Sequence, residues 1–331
     1  MTVQQTRNLC GRNVAAIGLG CMSFGGIFGS TTEEDSLACL DAAFEAGIDH
    51  LDVAEVYGNG VSESVIGKWL ARTGAEVSIA TKAGIYQSKD GGAPFRNDEA
   101  SLRASLEGSL KRLGVDRVDL FYVHRREQAI PIEDVMGTML KFMDEGKIGG
   151  IGFSEIAPYS LRRAHKVHPV AAIQNEYSLW SRAPELGMVQ TCAELGTTLV
   201  AFSPLARGMF SKRPLTLEDL PAQDYFRPRN PRFTEPNFSL NSNRIADFRT
   251  FCQTRGWSIA GAAIAWVLDQ GDHVLPIPGT RVAEHLRDFA TGDAIRFTNQ
   301  DRAEIARLLP VGWAYGDRYS EAQNRPVEHY C

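Results

Sequence analysis

The chain has 331 residues, of which 44% are hydrophobic and 23% are charged, and its formal net charge is −5. So mild a charge does not indicate a nucleic-acid partner or binding to a membrane surface. No stretch reaches the roughly 18 apolar residues needed to span a bilayer, and the N-terminus lacks the basic and apolar regions of a secretory signal. The six cysteines show none of the short spacings of a zinc or redox motif. We therefore expect a cytoplasmic protein with reduced thiols and without a metal site.

Short apolar runs alternate with amphipathic stretches along the chain. The apolar runs predict strands at 14–19, 50–52, 77–81, 119–123, 149–153, 173–175, 198–202 and 274–277. The amphipathic stretches predict helices at 32–46, 62–71, 98–113, 132–145, 158–168, 184–195, 239–255, 259–268 and 282–290. Thr32 can cap the first of these helices and Gly47 can end it. This alternation predicts a closed parallel barrel, the (β/α)8 TIM barrel, formed by residues 1–331 as a single domain.

Two segments depart from the alternation. The stretch 205–237 contains five prolines mixed with aromatic and arginine residues, and it is too long for an ordinary connection in a compact barrel. Long loops of this kind are lids, binding loops or disordered segments. Residues 311–331 form an irregular C-terminal tail that includes Trp313, Tyr315 and Tyr319.

Chemically active side chains stand where predicted strands end. Asp52, Lys82 and His124 each close or follow an apolar run, and Tyr57 lies in the loop after Asp52. If these strands are parallel neighbours, all four side chains emerge at one end of the barrel, where the active sites of TIM barrels lie. An acid, a phenol, an amine and an imidazole in one small space can move a proton onto or off a carbonyl oxygen.

These residues and their surrounding motifs resemble the aldo-keto reductase superfamily. Asp52 and Tyr57 form Asp-x4-Tyr, Lys82 ends Thr-Lys after a strand, and His124 ends Asp-Leu-Phe-Tyr-Val-His. Further motifs follow in order, namely Ile-Gly-Leu-Gly-Cys-Met at 17–22, Asn-Glu-Tyr-Ser-Leu-Trp-Ser-Arg at 175–182, Phe-Ser-Pro-Leu-Ala-Arg-Gly at 202–208 and Pro-Ile-Pro-Gly-Thr at 276–280. The likeness is to the soluble bacterial and plant branch, which is also similar to the β subunits of voltage-gated potassium channels.

The resemblance implies an NAD(P)H-dependent reductase of aldehydes or ketones, which in the opposite direction is an alcohol or sugar dehydrogenase. Tyr57 would be the general acid in reduction and the base in oxidation. A free phenol has a pKa of about 10, and we expect the ammonium of Lys82 to lower it. Asp52 would hold Lys82, and His124 would orient the substrate carbonyl. The hydride would come from the nicotinamide, because no side chain can supply one.

The sequence has no Gly-x-Gly-x-x-Gly fingerprint of a Rossmann domain, so we expect the dinucleotide to lie across the strand ends of the barrel. Motifs matched to the family imply that Ser154 and Gln174 hold the nicotinamide carboxamide and that Phe202 stacks on the ring. The other implied cofactor contacts are Gly20, Met22, Ser203, Leu205, Arg207, Gly208, Gly279, Thr280, Arg281, Arg287 and Asp288. In the family a large loop after the seventh strand folds over the cofactor, which favours a lid at 205–237, and the tail helps to shape the substrate pocket.

The sequence departs from the family at two places. Glu155 stands where relatives often have an asparagine after the serine. At the adenosine end Arg281 is present, but the second cation that many relatives carry is missing. Because a 2′-phosphate favours a planar, bidentate cation, we expect NADPH as the cofactor and leave NADH open.

Other functions stay open at this point. A cofactor-binding regulatory or sensor subunit, like the channel β subunits, would show little turnover. A barrel lyase would use Lys82 to form a Schiff base, although the adjacent Tyr57 and Asp52 argue against it. The expected partner is a small carbonyl or alcohol substrate whose identity the sequence does not fix. The preferred reaction direction and a homo-oligomeric state are not fixed either.

Overall fold

A computed structural model describes residues 2–86, 95–220, 223–224 and 226–330. Its main sheet contains strands β3 to β10, each paired in parallel with the next in chain order. A parallel bridge between Gly20, in the first of these strands, and Gly279, two residues after the last, closes the sheet into a barrel. The strands are β3 (Leu19–Gly20), β4 (His50–Asp52), β5 (Ser78–Ala83), β6 (Leu120–Val123), β7 (Ile151–Ser154), β8 (Ala172–Glu176), β9 (Thr198–Phe202) and β10 (Val274–Ile277). The fold is therefore the (β/α)8 TIM barrel that the sequence predicts.

Helices surround the barrel and connect its strands. Their bounds in the described residues are α1 (Glu33–Glu45), α2 (Val61–Thr73), α3 (Glu99–Leu113), α4 (Ile132–Asp144), α5 (Pro158–Val167), α6 (Met188–Leu195), α7 (Asn237–Thr254), α8 (Ile259–Leu268), α9 (Glu284–Thr291), α10 (Asn299–Leu308) and α11 (Glu321–Asn324). The caps follow the sequence signals, since Thr32 forms a capping box with Asp35 at the start of α1. Gly74 and Gly114 end α2 and α3 in the left-handed conformation that glycine adopts without steric cost.

The predicted first strand, 14–19, is wrong. The structure divides this stretch between two elements. Its first two residues belong to β2 (Arg12–Ala15), which pairs antiparallel with β1 (Thr6–Leu9), and only Leu19 enters the barrel, as part of β3. The reason is the turn at Cys10 and Gly11, whose φ angles of 54° and 78° suit a tight hairpin. The chain then reaches the barrel through the buried residues Ala16 and Ile17.

The hydrophobic core lies between the barrel and its helices. One cluster of buried side chains extends from Val3 to Trp313 and includes all ten residues of α8 apart from Gly261. A second cluster, which includes Leu120, Tyr122 and Leu275, fills part of the barrel interior. Strands buried on both faces are typical of parallel barrels. Because the strands all run in the same direction, the polar ends of β4, β5, β6 and β7 lie at one rim.

The two irregular segments both pack across this rim. Within 205–237, where 221, 222 and 225 lie outside the described residues, Phe226 contacts the ring of Phe28 at 6.1 Å between centroids. In the tail, Trp313 stacks on Trp180 at 6.0 Å between centroids and donates a hydrogen bond of 2.6 Å to the carbonyl oxygen of Leu179. Residue 331 of the predicted tail lies outside the described residues.

Candidate active site

The four chemically active residues meet at the carboxyl rim of neighbouring strands. Asp52 is the last residue of β4, Lys82 lies near the end of β5, and His124 follows β6 directly. Parallel pairing of β4 with β5 and of β5 with β6 fixes their order around the rim. The loop after β4 brings Tyr57 back over Lys82. All four side chains are buried, the least buried being His124 at 8% exposure.

Lys82 is the centre of this group. Its Nζ donates hydrogen bonds to Oδ1 of Asp52, to the carbonyl oxygen of Val53 at 2.9 Å and to the hydroxyl oxygen of Tyr57 at 3.3 Å. The second carboxylate oxygen of Asp52 accepts a hydrogen bond of 2.7 Å from Nε2 of Gln174. The ammonium is therefore fixed by a carboxylate and placed within hydrogen-bond reach of the phenol.

The pKa of Tyr57 differs from the sequence-based expectation. Burial raises the pKa of the Tyr57 phenol more than the charge and hydrogen bond of Lys82 lower it, so that the net shift is upward. Lys82 thus acts in the expected direction but only limits the effect of burial. Burial by itself lowers the pKa of Lys82, but Asp52 and Tyr57 raise this pKa by a larger amount. The net shift is upward, and the amine stays protonated.

His124 faces the phenol at the edge of its ring. The two ring centroids lie 5.8 Å apart and the rings are nearly perpendicular. Burial lowers the pKa of His124 well below its ordinary value, and the positive charges of Arg125 and Lys82 add to this effect. A neutral imidazole can still donate one hydrogen bond, which suits it to contact a carbonyl oxygen rather than to serve as a proton store.

These residues lie at one end of a cleft of about 1030 Å³. Asp52, Tyr57 and His124 line it, whereas Lys82 lies beneath Tyr57. Each residue predicted to contact the cofactor also lines this cleft, namely Gly20, Met22, Ser154, Gln174, Phe202, Ser203, Leu205, Arg207, Gly208, Gly279, Thr280, Arg281, Arg287 and Asp288. The structure thus brings the predicted site residues together around one opening, although their roles stay predictions.

Ser154 and Gln174 are hydrogen-bonded side by side near the catalytic end. Oγ of Ser154 donates to the carbonyl oxygen of Gln174 at 3.0 Å, and this same Oγ accepts from Nη1 of Arg125 at 3.0 Å. Both side chains are at least 97% buried, at exposures of 1% and 3%. Buried polar groups that are held this firmly can present fixed donors and acceptors to an amide.

The loop after β9 is strained where the sequence motif predicts cofactor contact. Ser203, Ala206 and Arg207 have φ angles of 52°, 50° and 55°, which non-glycine residues rarely adopt outside functional sites. The guanidinium of Arg207, however, donates to Oε2 of Glu176 at 2.6 Å and packs over the rings of Phe226 and Tyr319. Arg207 therefore has a carboxylate partner of its own, and its charge is already neutralised within the protein.

At the opposite end of the cleft, the loop after β10 and helix α9 supply cations and hydroxyls. Arg281 donates from Nη1 to the carbonyl oxygen of Phe28, and the Thr280 hydroxyl pairs with Nδ1 of His285 at 2.9 Å. Arg287 and Asp288 line the same end. Two further cations that sequence reasoning missed, Lys212 and Arg249, also line the cleft.

Glu155, the residue that departs from the family pattern, is held by the C-terminal tail. Its φ angle is 57° and it is 1% exposed. One carboxylate oxygen accepts from the backbone N–H of Glu176 at 2.9 Å, and the other accepts from Nη2 of Arg318. Arg318 also lies 3.3 Å from Glu176. A glutamate can therefore replace the usual asparagine because the tail supplies its counter-charge.

Arg125 is a site residue that sequence reasoning missed. It follows His124 and lines the catalytic end of the cleft. Its position directly after a strand-ending histidine was a usable signal, since side chains at this rim face the opening of a barrel.

In the described residues no cluster of three or more acidic, histidine or cysteine side chains could hold a metal ion. Nor is any described helix sufficiently long and apolar to cross a membrane.

The chain belongs to the aldo/keto reductase family, whose model matches residues 16–310. It is 37% identical over 314 residues to Probable aldo-keto reductase 1 of Glycine max, a match that covers 93% of this chain and 89% of the relative. Among solved structures, a glycerol dehydrogenase from Gluconobacter oxydans has a TM-score of 0.83 and 26% identity, with 92% of this chain and 96% of that chain covered. An aldo/keto reductase from Klebsiella pneumoniae, in complex with NADP and acetate, has a TM-score of 0.76 and 25% identity over 96% of this chain and 99% of that chain. The protein is thus an oxidoreductase of this family.

Proposed function

We propose that this chain is an NADPH-dependent reductase of aldehydes and ketones that oxidises the corresponding alcohols, sugars among them, in the reverse direction. The observation that carries the proposal is the 3.3 Å hydrogen bond from Lys82 to the Tyr57 hydroxyl at the end of a large cleft. Asp52 and His124 complete the catalytic group. The relative from Klebsiella, in complex with NADP, supports the choice of cofactor.

The cleft fits a nicotinamide dinucleotide in size and in charge. Its volume of about 1030 Å³ suits a large ligand. The cations Lys212, Arg249, Arg281 and Arg287 line it, and none of them forms an ion pair with a described residue. Such cations can neutralise phosphate groups, and a guanidinium can bind a 2′-phosphate through two hydrogen bonds. We propose that Arg281 and Arg287 select NADPH over NADH, while Ser154 and Gln174 hold the carboxamide at the catalytic end.

A nicotinamide held by Ser154 and Gln174 would supply the hydride for the carbonyl carbon. Tyr57 donates its hydroxyl proton to the carbonyl oxygen, which becomes the alcohol oxygen. Lys82 stabilises the phenolate left behind, because its ammonium lies beside the phenol oxygen and carries a charge held by Asp52. In alcohol oxidation the same phenolate accepts the proton, so Tyr57 acts as acid in one direction and as base in the other.

His124 positions the substrate. The neutral imidazole faces Tyr57 and can donate to the carbonyl oxygen without competing for the transferred proton. A carbonyl oxygen that accepts from both Tyr57 and His124 is held in one place during the transfer, which lowers the entropic part of the barrier.

Segment 205–237 and the tail complete the site in this proposal. Leu205, Lys212 and Phe226 of the segment line the cleft, and so does Tyr319 of the tail. We propose that the segment acts as a lid over the cofactor and that the tail forms one wall of the substrate pocket. Closure of such a wall excludes water and strengthens the electrostatic contacts inside.

A Schiff-base lyase is not supported by this geometry. Lys82 is fully buried, is paired with Asp52 and has a raised pKa, whereas Schiff-base formation needs a neutral, accessible amine. A purely regulatory role is also less well supported, because a sensor would need the cofactor contacts but not a complete proton-donating group beside them.

The test is a turnover assay on the purified protein with a panel of uncharged aromatic and aliphatic aldehydes and ketones. We expect NADPH to be consumed in a one-to-one ratio with the alcohol formed, and NADH to be used less efficiently. Tight NADPH binding without turnover of any carbonyl would contradict the proposal and favour the regulatory function. Equal efficiency with NADH would contradict only the assignment of the 2′-phosphate cations.

A further inference from the structure

Arg125 is a cation at the catalytic end of the cleft, and no acidic side chain in the described part of the chain is paired with it. Its Nη1 donates to the carbonyl oxygen of His124 at 2.6 Å and to Oγ of Ser154 at 3.0 Å. Both acceptors are uncharged, and no ion pair joins Arg125 to any residue of the described chain. The hydrogen bonds among described residues use only Nη1, so Nε and Nη2 are left for another acceptor. A guanidinium presents these donors as a planar fork that matches a carboxylate.

The described residues that line the cleft leave the charge of Arg125 without a nearby carboxylate. Among the described residues, the acidic side chains that line the cleft are Asp52, Glu284 and Asp288. Asp52 is already bound to Lys82 and Gln174, and the other two belong to helix α9 at the opposite end. The catalytic end of the cleft therefore carries a net positive charge. A half-buried cation without a carboxylate partner among the described residues favours an anionic ligand, because the protein around it screens charge less than bulk water does.

Other arginines of the cleft show how this site differs. Arg207 and Arg227 line the same cleft and are ion-paired with Glu176 and Asp224. The cations at the far end have the phosphates of the proposed cofactor as partners. The nicotinamide portion offers Arg125 no such partner, since its ring is neutral when reduced and positive when oxidised. The missing anion is therefore expected on the substrate.

We propose that Arg125 binds a carboxylate of the substrate, so that oxo acids, meaning aldehydes and ketones that carry a carboxylate, are the preferred substrate class. This inference rests on the reductase function proposed above. Arg125 lies close enough to the catalytic group for its charge to act on both Tyr57 and His124. A carboxylate bound to its free donors would stand beside the carbonyl that Tyr57 protonates. Apolar residues such as Val56 and Ile85 line the same cleft and can contact the carbon skeleton between the two groups.

The test compares acids with their uncharged esters. The ortho, meta and para carboxybenzaldehydes and their methyl esters span several distances between the carbonyl and the carboxylate. For the wild-type protein we expect at least one acid to exceed its ester in kcat/KM by about 10- to 100-fold, the range for a charge-assisted hydrogen-bonded pair. In Arg125→Met this preference should disappear, because kcat/KM for the acids falls much further than kcat/KM for the esters. The measured quantity is the ratio of acid to ester, since loss of the hydrogen bond to Ser154 affects both substrates alike.

Lys166→Met is the matched control. Lys166 lies in the exposed last turn of α5, at the other end of the barrel from the cleft, and its substitution also removes one positive charge. It should keep the full preference for acids. Arg125→Lys, which keeps the charge but loses the fork, should retain part of the preference.

The outcomes separate this inference from the reductase function. Reduction of the esters without preference for any acid would overturn the inference and leave the reductase function intact. An equal loss for acids and esters in Arg125→Met, together with weaker NADPH binding, would also overturn it and assign Arg125 to the positioning of Ser154. No turnover of any aldehyde would overturn the reductase function and this inference with it.

Discussion

Replacement of Lys82 by methionine tests the buried ion pair on which the catalytic group is built. Lys82 and Asp52 are 0% and 2% exposed, and each is the other's only opposite charge at hydrogen-bond distance in the described residues. Lys82→Met removes the ammonium and keeps most of the side-chain volume. Within the described part of the chain, the buried carboxylate of Asp52 then keeps one side-chain hydrogen bond, from Gln174.

The expected cost follows from this geometry. Removal of one partner of a buried ion pair destabilises a protein by about 3–5 kcal/mol, mainly because the other charge stays buried without compensation. Removal of both partners, in Lys82→Met/Asp52→Leu, should cost much less than the sum of the two single substitutions. We expect a coupling energy of at least about 2 kcal/mol between the two positions.

Urea denaturation of the cofactor-free protein measures this coupling. The two single variants, the double variant and the exposed control Lys166→Met should be compared at equal protein concentration, with the slope of the transition checked for each. The control should stay within about 0.5 kcal/mol of the wild-type free energy of unfolding. The reasoning is refuted if Lys82→Met costs less than about 1 kcal/mol, or if the two single costs simply add.

Further predictions concern pH, the tail and the cofactor. Burial raises the pKa of Tyr57 above its ordinary value of 10.0, so kcat/KM for reduction should be flat from neutral pH to about pH 10 and fall above it. The rate of alcohol oxidation should rise with pH across the same range. A reduction rate that falls between pH 7 and pH 9 would contradict this prediction. Arg318→Met removes a cation that is paired with the buried carboxylates of Glu155 and Glu176. It should lower the free energy of unfolding by about 3 kcal/mol and speed cleavage of the tail by chymotrypsin. The control Arg325→Met, at an exposed position, should change neither quantity. Arg281→Met and Arg287→Met should each raise the KM for NADPH by about 10-fold and leave that for NADH unchanged, and an equal effect on both cofactors would reject selection of the 2′-phosphate by these residues.

Much of the fold follows from local patterns in the sequence. The bounds of β9 and β10 and of helix α8 coincide with the predicted ones, and α1 differs by one residue at each end. These elements have continuous apolar runs or clear caps, so that local signals and burial agree. Three catalytic candidates, Asp52, Lys82 and His124, were selected from their positions at strand ends, because a parallel barrel brings such ends to one rim. Tyr57 was selected from the loop that follows Asp52.

The features that were missed depend on contacts between distant parts of the chain. The assignment of 14–19 as one strand failed because Val14 pairs with Arg7 in a hairpin, which an apolar run does not reveal. Helix α10 begins with a capping box of Thr298 and Asp301, a signal that was present but unused. The pairing of Arg318 with Glu155 joins positions 163 residues apart, and periodicity carries no information on such a contact.

The upward pKa shift of Tyr57 has a similar origin. The sequence places a lysine near the phenol and so predicts a lowered pKa, but it does not give the depth of burial. In the folded chain Tyr57 is 7% exposed, and the loss of hydration outweighs the nearby ammonium. The sequence therefore predicts which side chains lie around the cleft better than it predicts their electrostatic environment.

The most direct test of the catalytic account is the rate of NADPH-linked aldehyde reduction by Tyr57→Phe. Phenylalanine keeps the ring against His124 and removes only the proton donor. We predict that NADPH affinity is unchanged and that kcat falls by about 10²- to 10⁴-fold, the contribution typical of a positioned general acid. A variant that binds NADPH normally and retains more than about one tenth of the wild-type kcat would contradict the assignment of Tyr57 as the proton donor.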